Sequence, residues 1–131
     1  MSTDLFSAPV IAAWQQRLNR STRFAEAAAG WSGRFVLVER ETDGSERRTW
    51  VVVDDGRCTD ARPGTPLDEQ AADFVLAATP ATWADLASAR TTPATAALVG
   101  RLSLIKGDLF ALVPRAKAAA ELLRAAAEGD L

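Results

Sequence analysis

Two Asp-Gly pairs, Asp43-Gly44 and Asp55-Gly56, punctuate the most strand-like part of the chain and limit what it can become. Residues 34–42 run into the first pair, and residues 45–53, ending in Trp50-Val51-Val52-Val53, leave it. Such a pair between two strand runs predicts a hairpin with a two-residue turn, because both residues tolerate positive φ. The Trp50–Val53 run is apolar on both faces, so the middle of this strand should be covered on both sides. Asp54-Asp55-Gly56 turns the chain again, into a short third strand over residues 57–61. Residues 62–66, with two prolines and a glycine, read as a loop. A fourth strand follows over 72–78, around Phe74, Val75 and Leu76. In order, these pieces predict a four-stranded antiparallel meander.

The flanks change period. Upstream, Ser7 is placed to cap a helix in which Ile11, Trp14 and Leu18 form one apolar stripe. The polar cluster 19–22 should break it, and a short helical piece over 23–29 should stop at Gly30. Asn19-Arg20-Ser21 also matches a glycosylation sequon, which has no meaning without secretion. Downstream, Thr79-Pro80 and Thr92-Pro93 each set a capping hydroxyl before a proline suited to the first helical position. Trp83, Leu86 and Ala87 share a face of the first of these helices; Ala97 and Leu98 are the apolar pair of the second, and Gly100 ends it. Residues 101–106 read as a strand closed by Gly107-Asp108. A helical stretch over 109–127 is interrupted at Pro114. The alanine tracts 27–29 and 118–120 read as helix filler, and no internal repeat is present.

Composition removes whole classes of chemistry. The 131 residues, 14.0 kDa, are sufficient for a single domain over 1–131 with a real core. Histidine and tyrosine are absent, which excludes histidine nucleophile systems, imidazole metal sites and a phenolic acid. The lone Cys58 can form neither an internal disulfide nor a thiolate zinc site, and with no leader in residues 1–13 a reduced, cytoplasmic location is expected. No apolar run reaches membrane-span length, and residues 129–131 carry no lipidation or peroxisomal signal. A net charge of −2 argues against nucleic acid as a partner and against whole-molecule attraction to an anionic surface.

The order of a strand, Thr79-Pro80-Ala81-Thr82-Trp83-Ala84-Asp85-Leu86, then Ala97-Leu98-Val99, then Gly100-Arg101-Leu102-Ser103-Leu104-Ile105-Lys106-Gly107-Asp108, resembles the sterol carrier protein 2 family of lipid-binding domains. Trp31-Ser32-Gly33-Arg34-Phe35-Val36-Leu37 resembles that family's entry into its first strand, and the likeness runs over roughly residues 8–127. Two positions depart from it. Val99 stands where an aromatic residue or methionine is common, and Ala89-Arg90-Thr91 where a glycine is common. The resemblance implies an α+β domain, a five-stranded, mainly antiparallel sheet with helices packed on one face. It also implies intracellular, non-catalytic binding or transfer of a fatty acid, acyl-CoA or sterol-like lipid. Independently of the family, a strand bracketed by Gly100 and Gly107 places a helix on either side over one sheet face, a geometry that can leave a gap.

The residues expected to line that gap are Phe74, Leu76, Trp83, Leu86, Leu98, Leu104, Leu109, Phe110, Val113 and Leu122, taken as a set, although each alone reads first as ordinary core. A chain of about sixteen carbons would gain roughly 12 kcal/mol gross on burial, and a pocket of about 300 Å³ or more would be needed. No cofactor, metal or stable membrane insertion is expected, and the sequence leaves oligomeric state open. Two other readings compete. One is an accessory or protein-interaction domain, for which Trp14, Trp31, Trp50 and Trp83 exposed on one face would argue. The other is a small enzyme using Asp54-Asp55, Asp60, Asp68-Glu69, Asp73, Asp85 or Asp108, with Lys106 and Cys58. Against it, these carboxylates read first as turn, cap and solvated positions. Arg47-Arg48 with Arg57 could hold a phosphate or carboxylate head group, or simply solvate a strand edge.

Overall fold

The computed structural model describes residues 4–126, so the readings made on residues 1–3 and 127–131, including the last residue of the final helix, lie outside the described residues. Strands β1 (Gly33–Arg40) and β2 (Glu46–Asp54) form the expected hairpin in antiparallel register from Gly33 opposite Val53 to Arg40 opposite Glu46. Its turn differs from the sequence reading. The Gly44 N–H donates to the Glu41 carbonyl (3.0 Å) and the Glu41 N–H to the Ser45 carbonyl (2.9 Å), so three residues close the loop. Only Gly44 there has positive φ, and Asp43 instead accepts from the Ser45 N–H and hydroxyl. A two-residue type I′ turn needs both central residues left-handed. The second Asp-Gly pair meets that demand: Asp55 (φ 48°) and Gly56 (φ 78°) join β2 directly to β3 (Arg57–Gly64).

β3 continues through Arg62-Pro63-Gly64, which the sequence had marked as loop. Pro63 pairs opposite Thr49. Its missing N–H is tolerated because β3 is an edge strand. A bulge between Val52 and Val53 lets Cys58 and Ala61 share the face of Val53 and Val51.

The largest departure concerns β4 (Phe74–Ala78). The strand order is β3-β2-β1-β4-β5, and β4 runs parallel to β1 with Phe35 opposite Phe74 and Leu37 opposite Leu76. The expected four-strand meander is therefore three strands plus a crossover. β4 is apolar on both faces and needs a neighbour on each side, which a place beyond the Pro-bearing edge would deny it. β5 (Ser103–Lys106) pairs antiparallel on its other side, giving the five-stranded, mostly antiparallel sheet of an α+β fold.

The crossover contains one helical turn the sequence did not suggest, α3 (Asp68–Ala71). It lies against the sheet face carrying Val36, Val38, Trp50, Val75 and Ala77, with Ala72 completing that smaller cluster. Arg48 pairs with Glu69, and the Lys106 ammonium donates to the carbonyls of Glu69 and Gln70 (3.0 Å each), closing the C-terminal end of the turn. The middle of β2 is thereby covered on both faces, Trp50 by this smaller cluster and Val51 and Val53 by the main core, as its apolar run predicts.

The other helices pack on the opposite face. Trp14 and Leu18 of α1 (Ala8–Arg20), Phe24 of α2 (Thr22–Ala27), Trp83 and Leu86 of α4 (Pro80–Ala87), and Leu122 and Leu123 of α7 (Ala116–Arg124) join one core with Phe35, Leu37, Val51 and Val53. α1 breaks within the polar cluster 19–22, as expected. Asn19 stays helical and bonds both the N–H and the carbonyl of Cys58 (2.8 Å each), and the break falls at Ser21, whose hydroxyl caps α2. The Trp14 indole N–H donates to the Leu122 carbonyl (2.7 Å) and that of Trp83 to the Val38 carbonyl (2.9 Å), tying first helix to last and α4 to the sheet. Among the described residues no buried side-chain polar atom lacks a partner.

Candidate functional site

The stretch from Thr79 to Ala116 is short pieces joined by local stop signals, and these decide where the helices stand. Thr79 and Thr92 cap α4 and α5 (Pro93–Leu98) by accepting from the N–H groups of Thr82 and Thr95. Both helices end in the same doubly bonded motif. After α4, Ala89 N–H reaches the Leu86 carbonyl and Arg90 N–H the Asp85 carbonyl; after α5, Gly100 and Arg101 do the same to Ala97 and Ala96. Gly100 takes the left-handed position at φ 80°, whereas Ala89 is forced there at φ 62°. Ala89 opens the stretch Ala89-Arg90-Thr91, where the resemblance led a glycine to be expected. β5 then closes at Gly107 (φ 111°), where a Cβ would run into the Phe74 ring and lie 2.9 Å from the Asp73 carbonyl oxygen. Asp108 caps α6 (Leu109–Leu112), accepting from the Phe110 N–H at 2.9 Å, and Pro114 sits in a 3₁₀ turn (Val113–Arg115) before α7.

This arrangement leaves a cavity of about 110 Å³ between the sheet and the helices. Its floor is Phe35 and Leu37 of β1, Leu76 of β4 and Leu104 of β5, and Trp31 and Trp83 form the inner wall. Its roof comes from α5 through Pro93, Ala94 and Ala97, from Leu109, Leu112 and Val113, and from Ala116, Ala119, Leu122 and Leu123 of α7. Every lining side chain is aliphatic or aromatic. The space exists because the roof presents alanines: Ala94 and Ala97, like Ala116 and Ala119, recur at a spacing of three and turn one small-residue stripe inward.

Six of the ten residues expected from sequence surround this cavity: Leu76, Trp83, Leu104, Leu109, Val113 and Leu122. Four do not. Phe74 stacks on Phe35 (5.3 Å between centroids) beside it, and Leu86 is packed in the core. Leu98 and Phe110 are 87% and 83% exposed. Each stands one residue, about 100° of helix, past a lining residue, Ala97 and Leu109. The sequence reading weighted large side chains and so missed the alanines. It also missed Trp31, Phe35 and Leu37, whose alternation in and before β1 was the available signal. The cavity is about a third of the volume expected for a ligand pocket.

The groups that could carry catalysis are otherwise engaged. Asp55 accepts from the Gly30 N–H, Asp60 from the Trp50 indole, and Asp85 pairs with Arg101 (2.8 Å). Asp73 pairs with Arg34, whose guanidinium and N–H hold its carboxyl below the usual carboxylate range. The Arg62 guanidinium holds Asp68 down at about 2, helped by the Thr65 N–H. Burial pushes the Cys58 thiol up to about 11, leaving no thiolate at neutral pH. Arg47 bonds Glu39 and Asp4, and Arg48 bonds Glu46 and Glu69, so these two arginines of the expected basic cluster are neutralised within the fold. Among the described residues no three carboxylate or thiol groups gather as a metal site, and no helix is long and apolar enough to cross a membrane.

Comparison with solved structures agrees with this geometry. A crystal structure of sterol carrier protein 2 superposes with a TM-score of 0.84 at 30% identity, over 97% of this chain and 100% of that one. A Thermus thermophilus protein described as possibly a sterol carrier protein gives 0.78 at 27% identity, over 99% and 94%. The fold also matches part of an inverting sec-alkylsulfatase from a Pseudomonas species, with a TM-score of 0.50 at 22% identity, over 76% of this chain but 13% of the enzyme. No curated protein matches the sequence significantly. Residues 12–114 match the SCP-2 sterol transfer family, and with the bracketed β5 strand and the apolar hollow beneath α5 and α7 in place, the chain belongs to that family, whose domains bind or transfer lipids.

Proposed function

We propose that this protein binds a single-chain lipid, a fatty acid or its acyl-CoA, in the hollow between sheet and helices and carries it without altering it. The observation that carries this reading is the cavity with a wholly apolar wall, kept open by alanines on two helices. A hollow with no polar partner selects for hydrocarbon, and its lining favours an extended acyl chain over any group needing hydrogen bonds. At about 110 Å³ the hollow accepts the start of such a chain, and the rest requires the roof to move. The roof is built to do so. α5 and α6 are six and four residues long, below the length at which a helix is stable by itself, and they are joined through Gly100 and Gly107. The positions of the tryptophans favour cargo over a protein interface: all four are buried, and Trp31 and Trp83 face the hollow. The sulfatase likeness concerns the fold alone, and the engaged carboxylates give no reason to assign chemistry here.

The test is binding of delipidated protein to a panel of fatty acids, acyl-CoAs and sterols. A brominated C16 fatty acid should quench Trp31 and Trp83, and saturating palmitate should raise the melting temperature. Protein that shows neither quenching nor a melting shift with any member of the panel would refute the reading.

A further inference from the structure

Trp83 stands between two spaces. On one side is the apolar hollow; on the other is a groove of about 240 Å³ bounded by residues 4–6, Glu39, Arg47, Pro80 and Ala84. Among the described residues, Trp83 alone lines both. The two differ in chemistry, since the hollow has a hydrocarbon and aromatic wall while the groove holds the charged side chains of Asp4, Glu39 and Arg47. Leu109 and Val113 line the hollow and are more than half exposed, which puts its open end there. Trp83, at 3% exposure, belongs to the closed end. One indole therefore divides an oily space from a polar one, and a hydrocarbon chain entering the hollow runs up against it.

The indole is held from both sides. Its N–H donates to the Val38 carbonyl, and from the groove the Phe6 ring meets it edge-on, with centroids 5.8 Å apart. Phe6 is fixed in turn by the strap ahead of α1. The Thr49 hydroxyl donates to the Leu5 carbonyl at 2.7 Å. Arg47 lies over the Phe6 ring, 5.6 Å from its centroid, and donates to both carboxylate oxygens of Asp4 at 3.0 Å. Glu39, opposite Arg47 in the β1–β2 register, is only 5% exposed and accepts from the same guanidinium. A carboxylate that enclosed is costly without a partner, and its partner is the arginine that pins the strap.

We propose that Trp83 is the end stop for the acyl chain and sets the chain length this protein prefers, with Phe6 as the positioning residue behind it. The proposal rests on the lipid reading above. With the methyl end against the indole, methylenes beyond the capacity of the hollow stay outside it, and affinity stops rising with length. A smaller side chain at position 83 opens the hollow toward Leu5, Phe6, Pro80 and Ala84, and the two spaces joined exceed the roughly 300 Å³ of a ligand pocket.

Displacement of a fluorescent probe by octanoate, laurate, palmitate and stearate tests it. Each buried methylene is worth about fourfold in affinity, so wild-type affinity should climb with length and then level off. Trp83→Phe keeps an aromatic wall but shortens it; the plateau should move to a longer acid, raising stearate affinity relative to laurate by about tenfold or more. Phe6→Ala leaves every side chain lining the hollow unchanged, and should raise the same ratio by about threefold or more. A merely structural role would lower the melting temperature and weaken every acid by one factor, with the plateau in place. Melting curves show whether each variant keeps its fold, and if Trp83→Phe does not, the Phe6→Ala series decides. A plateau that stays put in the folded variants overturns the proposal, as does wild-type affinity still climbing at stearate. Wild-type protein that binds none of the acids removes the lipid reading and the end stop with it, whereas binding with an unmoved plateau removes the end stop alone.

Discussion

Replacing Ala119 by leucine should make the protein more stable and a poorer lipid binder at the same time. Ala119 lies mid-way along the inward stripe of α7, between Ala116 and Leu122, and all three line the hollow. Leucine adds three carbon groups, worth roughly 2.4 kcal/mol if fully buried. From the other side, an empty volume of 110 Å³ at about 24 cal/mol per Å³ represents about 2.6 kcal/mol of forgone stability. The two routes agree, and fixing the new side chain subtracts about 0.5–1 kcal/mol. A net gain of about 1.5 kcal/mol should raise the melting temperature by roughly 6 °C. The same leucine occupies the space the acyl chain needs, so displacement of a fluorescent fatty acid should show affinity at least about tenfold weaker. Ala118→Leu is the control. Ala118 is 1% exposed in the packed core and does not line the hollow, so leucine there should destabilise by about 1–3 kcal/mol through overpacking. If Ala119→Leu destabilises as Ala118→Leu does, the hollow is not available space. If it stabilises and leaves affinity untouched, the lipid does not bind there.

Two further outcomes follow from local geometry and charge. Ala89→Gly should stabilise by about 0.5–1 kcal/mol, because φ 62° costs an alanine about 1–2 kcal/mol and the greater freedom of glycine when unfolded returns only part of it; chemical denaturation giving no gain would contradict the strain. Asp68 has a folded-state value near 2 against an ordinary 3.8, so the folded chain binds fewer protons in that window. The stability it contributes is complete above about pH 4 and is lost as pH falls toward 2. Asp68→Asn should flatten the acid limb of a melting-temperature profile there, and an unchanged limb would place the acid sensitivity elsewhere.

What could be read from sequence was what local chemistry decides. Thr79-Pro80, Thr92-Pro93, Gly100, Gly107 and Asp108 each act within a few residues of themselves, and each behaves as its type requires. Pairing is different. Nothing near Phe74 says that its partner is Phe35, thirty-nine positions earlier and parallel; that depends on which strand edges are left to satisfy. The two Asp-Gly pairs show the limit even for turns, since the same dipeptide makes a tight turn at Asp55 and only part of a longer one at Asp43. The hollow was half legible. Its large residues, such as Trp83 and Leu104, announce themselves, whereas Ala97 and Ala119 matter through the volume they lack, and a helix of alanines looks the same in sequence whether it faces a void or a tight contact.

The polar inventory and the hollow bear on each other. Asp55, Asp60, Asp73, Asp85 and Asp108 all hold turns, strands or helix ends, and Cys58 is buried with its proton retained at neutral pH. These side chains have structural work that accounts for where they stand. The hollow has none, since an unfilled apolar space lowers stability and a few larger side chains at Ala94, Ala97, Ala116 or Ala119 would close it. A bound acyl chain reverses that sign. Occupied, the same wall gains the contacts it lacks when empty, and by linkage the folded protein is stabilised in proportion to how tightly the cargo is held. The small wall residues then lower the stability of the empty form and favour the loaded one, which ties release of cargo to a looser roof and uptake to a firmer one.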